Sequence, residues 1–246
     1  MDKFRRLGLT LFALCLALSN SAYAYDEFRG FEQFIDGGSL KPFTRDLGAI
    51  LGSASFHNGR SLGFSGFDVG AHGGLQFHPG RGDAVLRNAG VTAFGLPWVQ
   101  AEIGLPFRLD GFIRGISYQG VTIAGGGLRY GILKATDQPW SPQFLISSVA
   151  HSVAHQNFSA SHVGVSLVAS VGVPRFSPYI GAGFDRTRLV VRSALDPALV
   201  GSNATTLESR FTAGVAVRPW PFVYLQGAFT LAHGMPGVDT GLGIRF

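Results

Sequence analysis

Cysteine is almost missing from this chain, which holds one copy, Cys15, in 246 residues. Cys15 lies in a stretch that reads as a removable leader, so the mature chain is expected to form no disulfide. Long apolar runs are missing too. The longest, Leu7 to Leu18, is broken by Gly8 and Thr10 and falls well short of the roughly 20 residues a membrane helix needs. Charge is sparse at 14%, and no Asp or Glu occurs between Gln138 and Asp185. The formal net charge of +5 shrinks once the basic leader is set aside, leaving too little surplus to argue for nucleic acid.

Glycine, by contrast, is abundant (35 residues), and phenylalanine dominates the aromatics with 21 copies. Glycine without a collagen period can mark disorder, but disordered chains lack the aromatic and β-branched residues found here. An all-β chain with bent strands fits better. Lys3, Arg5 and Arg6, the apolar run, and Ala22-Tyr23-Ala24 have the layout of a secretion signal cleaved after Ala24.

The mature chain opens without alternation. Phe28, Phe31, Phe34 and Ile35 recur at helical spacing, then Leu40, Phe43, Leu47, Ile50 and Leu51 do so again. Two short amphipathic helices follow, the second capped by Ser39 with Pro42 in its first turn. They would form either a lid or a plug. The expected organisation is a signal over 1–24, a helical lid or plug over 25–60, and a barrel over 61–246.

From about Phe64 the pattern changes to period two. In the last stretch Val238, Thr240, Leu242, Ile244 and Phe246 share one face, and Gly237, Asp239, Gly241, Gly243 and Arg245 the other. Similar stretches give about ten strands, with eight to twelve allowed, and turns around Pro106, Pro139, Pro174 and Pro219. The segments 78–90 and 192–204 read as long polar loops, 155–161 as a shorter one. Gln143 to Val153 alternates too poorly for its faces to be assigned. Trp98, Trp140 and Trp220 fall near expected turns, where aromatic girdles sit.

The aromatic-ended final strand resembles the insertion signal of bacterial outer-membrane β-barrels. Leu40-Lys41-Pro42-Phe43, Gly66-Phe67-Asp68, Leu105-Pro106-Phe107 and Gly126-Gly127-Leu128-Arg129-Tyr130 together resemble an uncharacterised family of such barrels with an N-terminal helical segment. In outline that segment is also similar to hydrophobic-compound transporters, whose barrels are longer. The resemblance implies an antiparallel transmembrane β-barrel in the bacterial outer membrane, surrounded by its lipid, inserted by barrel-insertion machinery that reads Phe246. Strand parity then directs Asp68, His72, Glu102, Arg108, Asp110, Arg114, Arg129, Glu208, Arg210, Asp239 and Arg245 into the lumen, with Asp185 beside them.

Nothing in the motifs points to catalysis, metal or cofactor. His151-Ser152 and Ser161-His162 are adjacent pairs that point to opposite faces of a strand, and no His-x-Ser spacing of the kind used by barrel lipid hydrolases occurs. His151, His155 and His162 are expected to be solvated at a loop rim. Gly125-Gly126-Gly127 lacks the Lys and Ser or Thr of a phosphate loop. Two functions fit: a narrow passive channel or transporter for small or hydrophobic solutes, and a structural or interaction barrel that transports nothing. The sequence leaves the oligomeric state open.

Overall fold

The computed structural model describes residues 27–246, apart from 137 and 174. The signal segment, with Cys15 and the cleavage site after Ala24, lies outside the described residues.

Ten antiparallel strands close into one barrel: β1 (Phe67–Gln76), β2 (Phe94–Gly104), β3 (Leu109–Tyr118), β4 (Val121–Gly131), β5 (Pro142–Ala154), β6 (Phe158–Val171), β7 (Phe176–Val191), β8 (Asn203–Val217), β9 (Val223–Ala232) and β10 (Met235–Arg245). Each strand pairs with its sequence neighbours. β10 returns to β1, setting Val69 opposite Ile244 and Ala71 opposite Leu242. Closure gives every strand a hydrogen-bonded neighbour on both sides, which is what a sheet surrounded by hydrocarbon requires. The even strand count brings the start of β1 and the end of β10 to one rim, here the turn end. The connections 77–93 and 192–202 leave from the opposite rim, the loop end.

Period-two alternation sorts the side chains. Val163, Val165 and Leu167 on β6, Ile180 and Phe184 on β7, and Phe211 on β8 are each half exposed or more on the outer surface. Between them His162, Ser166, Arg210 and Thr212 point inward and are buried. A barrel near eight strands can be filled by its own side chains, whereas a wider one leaves space. That space is occupied here by the segment before β1.

This segment enters at the loop end. Helices α1 (Phe31–Phe34) and α2 (Leu40–Leu51) come first, and residues 52–66 then run down the lumen to the turn end, where the Gly66 carbonyl accepts from the Gly104 N–H at 2.8 Å. Of α2, Phe43, Thr44, Asp46 and every residue from Leu47 to Leu51 are buried, as expected of a helix surrounded by wall. It packs chiefly on β7 and β8. Gly48 and Gly52 make that approach possible: a Cβ on the first would collide with Thr187, and one on the second with the Arg210 guanidinium.

Several expectations are corrected. Ser39 stands before α2 but makes no side-chain cap; its hydroxyl accepts from the Asp36 N–H at 2.9 Å instead. The 78–90 loop contains a helix, α3 (Ala84–Asn88), capped by Asp83, whose Val85 and Leu86 are buried. β3 begins at Leu109 because Phe107 and Arg108 both take positive φ, 63° and 65°. β6 begins at Phe158, so the loop before it is shorter than 155–161.

β5, whose faces the pattern left unassigned, points Phe144 and Ile146 outward and Leu145, Val149 and Val153 inward. The inner face mixes polar Gln143, Ser147 and His151 with apolar Leu145 and Val153, the latter two packing on the internal segment, and the outer face carries Ser148 and Ser152, so neither side is uniform. Trp140 and Trp220 are exposed near turns, but Trp98 is buried in the lumen, its ring stacked on His151.

Candidate functional site

The lumen is the candidate site, and it has two storeys. At the loop end Phe28, Phe31, Phe43, Phe94 and Phe158 form one aromatic cluster, with Phe31 and Phe158 centroids 4.8 Å apart and Phe31 and Phe43 5.0 Å apart. Leu47, Leu51, Val85, Leu86 and Leu189 complete a fully buried apolar core. Each element supplies one side: α1 and α2 from the internal segment, α3 from the loop, and the tops of β2, β6 and β7 from the wall.

Below α2 the chemistry changes from apolar contact to charged hydrogen bonds, and the wall grips the segment by its main chain. Arg114 on β3 donates to the Ser53 carbonyl at 2.8 Å and to the Leu51 carbonyl, and its Nε to His151 at 2.6 Å. Its guanidinium lies 4.3 Å from the Trp98 ring centroid. An arginine on the last carbonyls of α2 suits the negative end of the helix dipole. Arg129 on β4 donates to the Ser55 carbonyl and to Glu102.

Arg210 on β8 is held by Asp185, with Nε at 2.8 Å, and reaches the Gly48 carbonyl at 3.4 Å. Arg245 reaches the Ser61 carbonyl at 3.2 Å. The aspartates do the converse: Asp239 accepts the Ala54 N–H at 2.8 Å, and both oxygens of Asp110 accept the Leu62 N–H at 3.0 Å. Backbone groups inside a barrel have no water-rich surface to turn to, so an unmatched one is costly. These six side chains supply the partners a strandless segment lacks.

Other residues expected in the lumen are there too. Asp68 accepts from the Tyr224 hydroxyl at 2.9 Å, and His72 lies 3.1 Å from the Gln226 amide. Glu102 accepts from both Arg129 and Gln100. Glu208, half-buried near the loop end, pairs with Arg45 of α2 at 2.7 Å.

Arg108 is corrected. It lies on the outside of the turn-end rim, donating to the Ile132 carbonyl and the Tyr130 hydroxyl. Its two left-handed residues shift the parity on which the expectation rested. Phe246 is exposed, its ring stacked on Phe222 and its N–H bonded to the Phe67 carbonyl.

His151, His155 and His162 are buried, not solvated. His162 lies 3.0 Å from the Thr187 hydroxyl and 3.5 Å from Asp185. No group of metal-ligating side chains stands out among the described residues. Sequence reasoning missed Tyr224 and Gln226, although both alternate with Val223 and Leu225 on β9. It also missed Asp46, which accepts from the Gln76 amide and the Gly80 N–H; helical periodicity cannot reveal that a helix's polar side is buried.

A closed antiparallel barrel, each strand paired on both sides, with an apolar exterior has the architecture of the transmembrane class. No protein-family model matches the chain, and no curated protein matches it in sequence. Solved structures similar to it include the N-terminal β-barrel domain of Pseudomonas aeruginosa OprF, at 12% identity over 75% of this chain and 99% of that one, TM-score 0.39. Neisserial surface protein A matches at 16% identity over 74% and 95%, TM-score 0.28, and the KdgM porin at 5% over 73% and 99%, TM-score 0.33. These likenesses concern the barrel fold alone.

Proposed function

We propose that this chain is a bacterial outer-membrane barrel whose lumen is a narrow conduit for small polar solutes, closed by its own N-terminal segment. The supporting observation is the division of labour inside the barrel. Gln100, Glu102, Arg114, Arg129, Gln143, Ser147, Arg210, Thr212 and Asp239 give the wall a polar face, and a separable stretch of chain occupies the space between them. If residues 27–66 withdrew, the lower wall would be one that water accepts, beneath an apolar mouth formed by Phe94, Ile123, Val153, Phe158 and Leu189. That polarity favours polar over hydrophobic solutes.

The conduit acts passively in this reading, without catalysis. Thr187 and His162 would be poor catalytic groups, since Gly48 covers the hydroxyl and Arg210 engages Asp185. The partners are outer-membrane lipid and the insertion machinery, which would engage the strand ending at Phe246.

Planar-bilayer conductance tests the proposal. The full mature protein should conduct little, and a variant lacking residues 25–66, which removes the helices and the descending stretch that the lower wall holds, should show clear openings. A permanently filled structural barrel, the reading favoured by the aromatic seal, predicts silence from both. That result would end the transport reading.

A further inference from the structure

At the turn end, beside the descending segment, the lumen opens into a cavity of about 280 Å³. Three guanidinium groups border it: Arg60 on the internal segment, Arg218 just after β8, and Arg245 on β10. No Asp or Glu side chain among the described residues lines it. Arg60 and Arg218 press on Arg245, which Asp68 and Glu102, behind the cavity lining, draw the other way. Arg245 is partly engaged by the Ser61 carbonyl, while the Arg218 side chain has no ion pair among the described residues.

The inner wall carries a second, independent sign. His57 is 4% exposed, neither ring nitrogen has a hydrogen-bond partner among the described residues, and its ring stacks on Tyr224 with centroids 4.3 Å apart. Its Nε2 lies 3.8 Å from the Asp68 carboxylate, too far for a hydrogen bond, and a buried imidazole without one is costly unless something joins it. The remaining side is apolar, with Phe222 and Phe246 stacked at 5.5 Å.

We propose that this cavity binds a small organic anion, a carboxylate or phosphate monoester attached to a flat apolar group. Converging arginines with no acid in the cavity lining repel each other, offset only at Arg245 by Asp68 and Glu102 behind it, and a bound anion converts that repulsion into charge-assisted hydrogen bonds. Guanidinium suits both head groups because its fork matches two oxygens at once. The Phe222 and Phe246 rings take the apolar body. The cavity's size is near the lower end for small-molecule sites. Binding here does not depend on the conduit reading, since the cavity is open while the segment above it stays in place.

The test is calorimetric titration of the full mature protein in detergent with benzoate, phenyl phosphate, inorganic phosphate, benzyl alcohol and benzylamine. Benzoate and phenyl phosphate should each saturate one site, and the alcohol and amine should not bind. Arg218→Gln should weaken both anions about tenfold or more, and Arg218→Lys should restore part of that loss. Phe222→Ala should weaken phenyl phosphate while leaving inorganic phosphate unchanged. The proposal is overturned if benzyl alcohol binds as well as benzoate, if Arg218→Gln binds both anions normally, or if inorganic phosphate matches phenyl phosphate.

Discussion

Above Leu51 the barrel interior is packed like the core of a water-soluble protein, with five phenylalanines and their aliphatic neighbours from five separate stretches of chain. Below it, arginines and aspartates hold a strandless segment by its carbonyls and N–H groups. The upper region gains from the area it removes from water, a contribution that neither salt nor pH changes much. The lower region gains from matching groups that would otherwise be unpaired, so its strength depends on every member being present. A segment held in both ways can be released in two different ways.

The sharpest way to break the contrast is to hollow out the upper region. Phe43→Ala removes a ring that touches Phe28, Phe31 and Phe158. It should cost about 3 to 5 kcal/mol of docking stability. Trp98 reports the event, since its ring lies against Arg114 and His151 just beneath α2. In urea titrations of the full protein the Trp98 transition should move to lower urea by the same amount in low and high salt. A shift that changed with salt would mean the upper region is held by charge after all.

Breaking the lower region should cost almost as much but behave differently. Arg129→Met strands Glu102 and the Ser55 carbonyl, and removing one partner of a buried pair typically costs about 3 kcal/mol or more. The double variant Arg129→Met, Glu102→Met should recover much of that loss, because most of the penalty is the uncompensated carboxylate. The same urea titration checks it. If the double variant were as weak as the single one, the main-chain contact at Ser55, and not the ion pair, would dominate.

How far this division could be read from the sequence depended on what each strand faced. β6 and β10 alternate cleanly because one side meets lipid and the other meets polar groups, so Asp239 and Arg245 could be directed inward from parity alone. β5 resists assignment, since its inner face alternates apolar Leu145 and Val153, which pack on the internal segment, with polar Gln143, Ser147 and His151, while Ser148 and Ser152 interrupt the outer one. Arg108 was misdirected because parity assumes an unbroken strand, and two successive positive-φ residues interrupt it. The internal helix was legible from its spacing, but its depth was not: amphipathicity reports an apolar stripe, and α2 is buried around nearly its whole circumference. The 78–90 segment misled for a related reason, its Pro, Gly and charged residues outvoting Val85 and Leu86, which dock on the phenylalanine cluster.

The smallest expected effect lies where the two chemistries meet. Asp83 caps α3 by accepting the Leu86 N–H at 3.0 Å, yet it is buried, and burial, with the nearby Asp46 carboxyl adding to it, pushes its pKa up to about 8. A carboxyl whose folded pKa is raised binds a proton that the undocked form releases. Its contribution is therefore greatest at low pH and falls as pH climbs from the ordinary carboxylate range towards about 8, then levels off. Across the upper part of that window, between about pH 6 and 8, the loss should be on the order of 2 kcal/mol. Asp83→Asn keeps a good cap and cannot ionise, so it should remove the slope and leave the variant better docked than the parent at pH 9. Hydrogen-exchange protection at the Leu86 amide, corrected for the intrinsic rate at each pH, measures this directly. The same decline in the variant as in the parent would show that the pH sensitivity belongs to another group and that Asp83 is only a cap.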